Sequence, residues 1–316
     1  MTETIRARAA DPTVDVIIAA KDAAGTITRA ITSALQQSHV RRVFVIDDGS
    51  GDDTLAVARA AAEGSAKLEA IRLPENRGPS AARNIALSKS TADLICVLDA
   101  DDFMMPERLS KMVRQVDGSD LLADDLFFCT LGNAKIRTRN LLGLNDGDTG
   151  AVDLETFVRS NVTKFNEPRR EMGFLKPLVS RRFLVEHDLC YREDMRLGED
   201  YALYAEALLL GARFKTMTAC GYVSVERDDS LSARHTIADL RALRDFDADL
   251  LRRQLQPGER SAIAEHMFNT ACRLEHRRLL QAKKEGRYRD ALGILFQAPR
   301  TAAYIVRTIA REKTGL

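Results

Sequence analysis

The chain has 316 residues, of which 45% are hydrophobic and 29% are charged, and its formal net charge is +1. This length and composition are typical of a soluble protein with one large domain and an appendage, or with two domains. Because the net charge is close to zero, no global field would attract nucleic acid, and we expect no nucleic-acid partner. The charge is uneven, since residues 236–316 hold 16 Lys and Arg against 10 Asp and Glu. The C-terminal quarter is therefore the basic part of the chain.

The cysteine pattern and the hydropathy indicate a cytoplasmic protein. The five cysteines are widely spaced and show no metal-ligand spacing, which is typical of free thiols in a reducing compartment. Residues 1–13 mix charged and polar side chains without an apolar stretch, so they predict a flexible tail and not a signal peptide. No run approaches the roughly 18 apolar residues that a membrane span needs. At most, we expect attachment to the inner face of a membrane.

The first part of the chain alternates between short apolar runs and segments of helical periodicity. The predicted strands are residues 14–20, 43–47, 68–73, 93–99 and 121–129. The predicted helices start near residues 27, 54, 79 and 106. This alternation predicts an α/β fold with a Rossmann-like, mostly parallel sheet flanked by helices. Ligands of such sheets bind beyond the carboxyl ends of the strands.

The rest of the chain changes character twice. Residues 130–150 are rich in Gly, Asn and Asp and predict a long loop. Further predicted elements are helices at 154–161 and 200–210, an extended stretch at 173–180 and a strand at 213–225. From residue 237 onward the pattern is helical, and Pro257 and Pro299 mark helix starts. We therefore divide the chain into the tail, a catalytic domain with a nucleotide-binding half and an acceptor half, and a helical C-terminal extension, at residues 1–13, 14–130, 131–235 and 236–316.

Two of the predicted strands end in clusters of carboxylates. Asp47 and Asp48 follow the second strand, and Asp99, Asp101 and Asp102 follow the fourth. Carboxyl ends of parallel strands share one edge, so these side chains would repel each other unless a cation compensates them. A Mn²⁺ or Mg²⁺ ion that also binds a diphosphate would do so. The alternative is that each cluster only caps the helix after it.

Five segments, in this order and at these spacings, resemble the family 2 glycosyltransferases of the GT-A fold over the first 230 residues. They are VIIAAKDAAGTITRAITSALQQS, VIDDGSGDDT, LPENRGPSAARNIAL, VLDADD and LGEDYALYAEALLLGARF. The GFLKPL and LLADDL segments are similar to enzymes that build bacterial exopolysaccharides of the succinoglycan type. The resemblance implies a metal-dependent, inverting transfer of a hexose from a UDP-sugar to a hydroxyl of a saccharide acceptor. Glucose is the first candidate for the hexose, and a polyprenyl-diphosphate lipid is the expected carrier of the acceptor.

The resemblance also implies roles for individual residues at the strand ends. Asp48 would accept the uracil N3–H, Asp99 would contact the ribose, and Asp101 would coordinate the metal, as in a DXD motif. Ala19 and Ala20 would contact the nucleotide through backbone atoms. The full set of donor-binding candidates is Ala19, Ala20, Lys21, Asp22, Asp48, Arg83, Asp99 and Ala100.

Some of these assignments have open alternatives. The family often has an aromatic residue and Asn where this chain has Lys21 and Asp22, although a Lys stem can pack on uracil and its ammonium can reach phosphate. Arg83 would bind the nucleotide or its phosphates, or it is a surface residue on an amphipathic helix. Asp102 either lies behind the metal ligand or starts the next helix, and we favour the helix start.

The catalytic base of an inverting transfer must accept the proton of the acceptor hydroxyl. The resemblance places it at Asp200, where the helix dipole would keep a carboxylate ionised. The alternative is a cap of that helix. Glu199 beside it, and Asp124 and Asp125 at the expected end of the fifth strand, are candidates for contacts with the sugar or the acceptor. A solvated loop edge is the alternative for that last pair.

Other protein classes fit less well. A nicotinamide-dependent dehydrogenase should carry G-x-G-x-x-G after its first strand, where this chain has AAKDAAGT. A phospho-receiver domain has acidic groups after its first and third strands, not its second and fourth. The remaining alternative is a catalytically inactive protein of the same fold that binds sugar nucleotides or acts as a scaffold. The last helix, apolar on one side and basic on the other, lies on a membrane surface or packs against the catalytic domain.

Overall fold

The computed structural model describes residues 11–130, 139–145, 147–163, 170–226, 235–297 and 299–314. Its strands are β1 (Val14–Ala20), β2 (Val40–Asp47), β3 (Leu68–Arg72), β4 (Leu94–Val97), β5 (Phe103–Met104), β6 (Leu121–Thr130), β7 (Arg139–Asn140), β8 (Thr149–Val152), β9 (Leu178–Ser180) and β10 (Phe214–Glu226). Its helices are α1 (Ile27–Leu35), α2 (Thr54–Ala61), α3 (Pro79–Lys89), α4 (Arg108–Val113), α5 (Leu154–Ser160), α6 (Arg181–Glu186), α7 (Glu199–Leu209), α8 (Ile237–Leu250), α9 (Pro257–Lys284), α10 (Tyr288–Gln297) and α11 (Pro299–Thr314). The predicted tail lies outside these residues except for 11–13, as does part of the predicted loop at 130–150.

The strands form one sheet in the order β3-β2-β1-β4-β9-β6-β10-β5, with β7 on β6 and β8 on β10. β3, β2, β1 and β4 are parallel to one another, and β6 is parallel to β10. β9 is antiparallel to both of its neighbours, β4 and β6. The apolar runs of β1 and β2 are buried on both faces, as expected for strands in the middle of a covered parallel sheet. The predicted mostly parallel sheet is confirmed, with an antiparallel strand inside it.

Local sequence signals account for most helix ends. α3 begins with Pro79 directly after Gly78, whose φ of 93° suits glycine. α9 begins at Pro257 and α11 at Pro299, as predicted. α4 does not begin at Pro106 but at Arg108, because Glu107 adopts a left-handed φ of 63° that cannot continue a helix. The short α6, which follows β9, was not predicted.

The chain groups into two compact units. Unit 1 comprises residues 1–152, 175–193 and 206–226, and unit 2 comprises 153–174, 194–205 and 227–316. Unit 1 contains the sheet with its flanking helices. In unit 2, α5 and the start of α7 group with the C-terminal helices α8 to α11. Two segments that we assigned to the acceptor half thus belong to the same unit as the helical extension.

The C-terminal helices pack on one another within unit 2. Ile305 of α11 is fully buried, and α10 and α11 both pack on α9. Among the side chains of α10 and α11 that the structure describes, three large apolar ones remain exposed: Tyr288, Leu292 and Val306. Within the described ranges, no helix is both long enough and apolar enough to span a bilayer.

Candidate active site

The site lies in unit 1, where the strand order reverses. From β1 the chain runs outward through β2 and β3, and it returns on the other side of β1 as β4. β1 pairs with β4 only from Val14 to Ile17, and the last bond joins the amide of Leu98 to the carbonyl of Ile17 at 2.9 Å. Ala19 and Ala20 continue beyond this point. Such a switch point is where open α/β sheets bind their ligands.

The loop after β1 is fixed by the loop after β2. The amide of Asp22 donates to Ser50 Oγ at 2.9 Å, and Asp22 Oδ1 accepts from the amide of Gly51 at 2.7 Å. Lys21 points its ammonium at Asp22, with an Nζ–Oδ2 distance of 2.7 Å, and both side chains are exposed. This bond to Lys21 and the bond from Gly51 lower the pKa of Asp22. Ala20 contributes its carbonyl, which accepts from the amide of Asp48 at 2.8 Å.

Asp48 is buried and holds the start of α3. Its two carboxylate oxygens accept the amides of Arg77 and Gly78 at 2.7 and 2.8 Å. These bonds fix the segment before α3, so Asp48 does not cap the helix that follows β2, contrary to the alternative interpretation. Each oxygen keeps a second lone pair, so the predicted acceptance of a uracil N–H remains a proposal.

Asp99, two residues after the end of β4, lies between two buried cations. Arg83 Nη2 is 3.1 Å from Asp99 Oδ1, and Lys176 Nζ is 3.1 Å from Asp99 Oδ2. Burial opposes ionisation, but the two cations hold the pKa of Asp99 below its usual value. Arg83 is 4% exposed and also lies over the ring of Tyr191 at 5.1 Å. The alternative of a surface arginine is therefore wrong.

The residues after Asp99 have different surroundings. Ala100 and Asp101 are half-buried, and the carbonyl of Asp101 accepts from Arg29 Nη2 at 2.7 Å. Asp102 is buried; Tyr222 donates its hydroxyl to Asp102 Oδ2 at 2.8 Å, and a backbone amide of β10 occupies Oδ1. The expectation that Asp102 starts the next helix is wrong, because its carboxylate binds β10. Burial and the charges of Asp99 and Asp101 raise the pKa of Asp102 to about 8.

These residues suit a divalent cation whose coordination sphere is completed by oxygen atoms of a bound ligand. In the part of the chain that the structure describes, no three His, Cys, Asp or Glu side chains form a group that could hold a metal ion by themselves. Mg²⁺ and Mn²⁺ commonly use one or two carboxylates and take further oxygens from phosphate and water. Burial is the largest cause of the raised pKa of Asp102, and the negative charges of Asp99 and Asp101 add to it. Asp101, whose side chain is half-buried, fits such an ion best.

Asp124 lies neither at the expected end of the strand nor at a solvated loop edge. β6 continues to Thr130, so Asp124 lies inside the strand and is fully buried. Arg108 donates to its Oδ1 from Nη2 at 2.6 Å and from Nε at 3.0 Å. Its Oδ2 accepts the amides of Gly221 and Tyr222, at 3.1 and 3.3 Å. The structure therefore gives Asp124 a structural role in place of the predicted contact with sugar or acceptor.

Those amides belong to a bulge in β10. Met217 pairs with Asp124 and Tyr222 with Leu126, so β10 has extra residues between these two positions. Gly221 lies in this bulge with a φ of 147°, and a β-carbon there would be 3.1 Å from those of Arg108 and Met105. The bulge directs the Tyr222 hydroxyl to Asp102, and the same oxygen accepts the amide of Asp99 at 3.2 Å.

Asp125 is also buried within β6, which excludes the solvated loop edge as well as the expected strand end. Its carboxylate accepts the amides of Leu142 and Gly143 at 2.8 and 2.9 Å. It therefore fixes the segment after β7. A contact with sugar or acceptor through this side chain is not supported.

Asp200 and Glu199 form the first turn of α7 and belong to unit 2. Asp200 is buried and Glu199 is half-buried. Gly198, directly before them, has a φ of 74°, and its carbonyl accepts the amide of Ala202 at 2.8 Å. The predicted helix start is thus confirmed to within one residue.

Sequence reasoning missed two residues of the site. Lys176 gives little signal in the sequence beyond its place in the GFLKPL segment, because an isolated lysine is usually solvated. Tyr222 gave no signal, because only the bulge of β10 brings it to Asp99 and Asp102. Arg108 connects these parts, since its Nη2 also donates to the carbonyl of Lys176 at 2.7 Å.

Comparisons with known proteins agree with this architecture. Residues 15–178 match the family model described as glycosyl transferase family 2. The chain is 42% identical to the succinoglycan biosynthesis protein ExoU of Rhizobium meliloti (strain 1021), over 97% of this chain and 90% of that protein. It is 34% identical to the succinoglycan biosynthesis protein ExoO of the same organism, over 85% of this chain and 73% of that protein.

The fold also matches solved structures. TarS 1-349 from S. aureus, in complex with UDP-GlcNAc, aligns with a TM-score of 0.62 and 20% identity, over 81% of this chain and 72% of that one. A longer TarS chain aligns with a TM-score of 0.58 and 18% identity, and this chain spans 43% of its length. At these identities the likeness shows the fold alone, and it confirms the expected GT-A fold. With 42% identity to ExoU over nearly its whole length and a family match over residues 15–178, the chain belongs to glycosyl transferase family 2.

Proposed function

We propose that the protein is an inverting glycosyltransferase that moves a hexose, with glucose as first candidate, from a UDP-sugar to a hydroxyl of a saccharide acceptor. The acceptor is carried on a polyprenyl-diphosphate lipid, and the product belongs to a bacterial exopolysaccharide of the succinoglycan type. The names of the relatives ExoU and ExoO support this pathway. The UDP-GlcNAc and UDP complexes of TarS support a UDP-sugar donor.

The main support for this proposal is the arrangement of charged side chains at the point where β1 and β4 diverge. The two buried cations Arg83 and Lys176 flank Asp99, and the half-buried Asp101 follows two residues later. A ligand for this place needs negative charge for the cations and oxygen atoms for an ion on Asp101. The diphosphate of a sugar nucleotide provides both. A divalent cation bound at Asp101 would neutralise that diphosphate and stabilise the departing UDP.

Side chains of the protein accept the acceptor's proton and stabilise the leaving group. Asp200 accepts the proton of the acceptor hydroxyl while that oxygen bonds to the anomeric carbon of the donor. The bond from the anomeric carbon to the β-phosphate oxygen breaks, and UDP leaves with the electron pair. Since the oxygen attacks opposite the leaving group, the anomeric configuration inverts. Arg83 and Lys176 hold the charge that accumulates on UDP.

An assay of the Asp200→Asn variant tests this function. We expect no UDP release from UDP-glucose with Mn²⁺ and an alkyl glucoside acceptor, because the amide cannot accept a proton, while calorimetry gives unchanged UDP binding. Asp245→Asn, on the exposed part of α8, is the matched control and should keep full turnover. EDTA should abolish release by the native protein. Normal turnover of Asp200→Asn would refute the assigned base, and UDP binding without turnover in the native protein for every sugar nucleotide tried would favour the inactive binding protein.

The C-terminal helices support a peripheral membrane location on the inner face. Tyr288, Leu292 and Val306 are exposed, and exposed basic residues are interspersed with them, including Arg289 and Arg307. Exposed apolar and basic side chains together favour an anionic lipid surface. An enzyme with a lipid-linked acceptor would work at that surface.

A further inference from the structure

The start of α7 contacts the helix α8 at two points. Asp247 of α8 accepts the Tyr201 hydroxyl at 3.0 Å, and Leu243, one turn earlier, lies against Gly198. A β-carbon at Gly198 would be 2.9 Å from Leu243 Cδ1. These two contacts bracket the two residues between them, Glu199 and Asp200. All of these residues belong to unit 2.

Asp247 is in turn fixed by α9. His266 Nδ1 is 2.7 Å from Asp247 Oδ2, so the carboxylate binds a hydroxyl on one oxygen and an imidazole on the other. Asp247 is fully buried, and His266 and Tyr201 are each 4% exposed. The His266 ring lies 4.4 Å from that of Tyr201, and Phe157 stacks on Tyr201 at 5.6 Å. Three helices, α5, α8 and α9, therefore contact this one tyrosine of α7, which directly follows Asp200 in the chain.

A purely apolar contact would stabilise these helices at least as well. Burying a carboxylate is costly, and a well-packed hydrophobic replacement is often neutral or stabilising. The polar network adds a defined orientation of α7, because a hydrogen bond fixes the rotation of the helix about its axis more tightly than apolar packing does. The proposed mechanism uses none of these three side chains directly.

We propose that Tyr201, Asp247 and His266 are positioning residues that fix the first turn of α7 and thereby the direction of the Asp200 carboxylate. The inference rests on the proposed role of Asp200. It gives the helices after residue 236 a part in catalysis that is independent of any membrane contact. Tyr201→Phe removes the hydroxyl and keeps the ring contacts, so it isolates the hydrogen bond to Asp247.

The matched control is Thr270→Val. Thr270 lies one turn after His266 on α9, is fully buried, and has no hydrogen-bond partner for its hydroxyl among the described residues. Both variants delete one buried hydroxyl in the same unit. Only Tyr201→Phe should raise amide hydrogen exchange in residues 198–204, measured on the full-length protein. Only Tyr201→Phe should lower kcat for UDP release from UDP-glucose with octyl glucoside and Mn²⁺, by roughly ten- to a hundredfold, with little change in donor KM.

Conservative replacement at His266 gives a second measurement. His266→Asn keeps a donor near the position of Nδ1 and should retain more turnover than His266→Leu. Equal exchange and equal kcat in Tyr201→Phe and Thr270→Val would overturn the inference, whether or not Asp200→Asn is inactive. Full activity of Asp200→Asn would instead refute the proposed base. The exchange contrast does not depend on the acceptor, so the two failures are distinguishable.

Discussion

At the scale of single residues, the candidate site is defined by compensation of charge. Asp99 would be costly in its partly buried position without Arg83 and Lys176, and the two cations would be costly without Asp99. A donor diphosphate adds negative charge to this group, and a divalent cation adds positive charge. The arrangement thus suits a ligand that arrives together with a metal ion.

Lys176→Met should weaken UDP binding in the presence of Mn²⁺. A hydrogen bond to a charged group contributes on the order of 1.5–3 kcal/mol, so we expect a loss of about tenfold or more. Uridine, which has no phosphate, should bind as before. Isothermal titration calorimetry with both ligands measures the difference.

Two further variants complete that experiment. Lys89→Met removes an exposed ammonium that pairs with Glu69 at 3.2 Å, and it should leave UDP binding unchanged. Lys176→Arg keeps the charge and should recover part of the affinity. An equal loss for UDP and uridine would indicate that Lys176 only supports the fold of the site.

Residue types and their order in the sequence identify the acidic residues of the site, but they do not identify the basic side chains that pair with them. The carboxylates after the second and fourth strands were predictable because strand ends are visible as ends of apolar runs. Lys176 was not, since it reaches Asp99 from a segment 77 positions away in the chain. Asp124 and Asp125 were misplaced because two acidic residues inside an apolar run resemble a strand end when their buried partners are unknown.

At the scale of elements, the pairing of β6 with β10 depends on the buried carboxylate of Asp124. Asp124 accepts amides of the β10 bulge and binds Arg108, and Arg108 also holds the carbonyl of Lys176. The bulge places Tyr222 against Asp102. One buried ion pair therefore shapes both the strand and the site.

Asp124→Asn should strongly destabilise the protein. The substitution leaves the fully buried guanidinium of Arg108 without its counter-charge, which typically costs about 3–5 kcal/mol. Urea unfolding followed by circular dichroism measures the change in the free energy of unfolding.

The comparison is an exposed ion pair in the same unit. Glu186→Gln breaks the pair with Arg182 on α6 and should cost at most about 0.5 kcal/mol. Equal losses of unfolding free energy in the two variants would mean that the buried pair of Asp124 and Arg108 stabilises the protein no more than an exposed pair does.

The elements themselves were predictable where periodicity is strong, as for α1, or where a Pro marks the helix start, as for α3 and α9. The start of α4 was missed because the left-handed backbone of Glu107 has no sequence signature. α6 was missed because a six-residue helix is too short to show a period. The predicted extended stretch at 173–180 contains β9, but the strand occupies only its last three residues.

At the scale of the whole molecule, the proposed membrane location depends on the exposed face of the last two helices. Leu292→Asp and Val306→Asp place charges at side chains that are 56% and 60% exposed. We expect the native protein to co-sediment with anionic vesicles at low salt and both variants to bind less, because each loses apolar contact and gains a repelled charge.

Val185→Asp provides the control, since Val185 is 63% exposed but lies on α6. It should sediment like the native protein. Equal binding by all four proteins would exclude these helices as the membrane contact and leave packing within unit 2 as their only role.

The antiparallel strand β9 between β4 and β6 limits how this protein can be divided. β6 reaches β4 only through β9, which the chain supplies after β6, β7 and β8. A fragment that stops at residue 150 would leave two strand edges open in the middle of the sheet, and such edges invite aggregation. The nucleotide-binding half is therefore not a module that could be excised or transplanted, and β4 and β6 cannot be joined during synthesis until residue 180 has emerged.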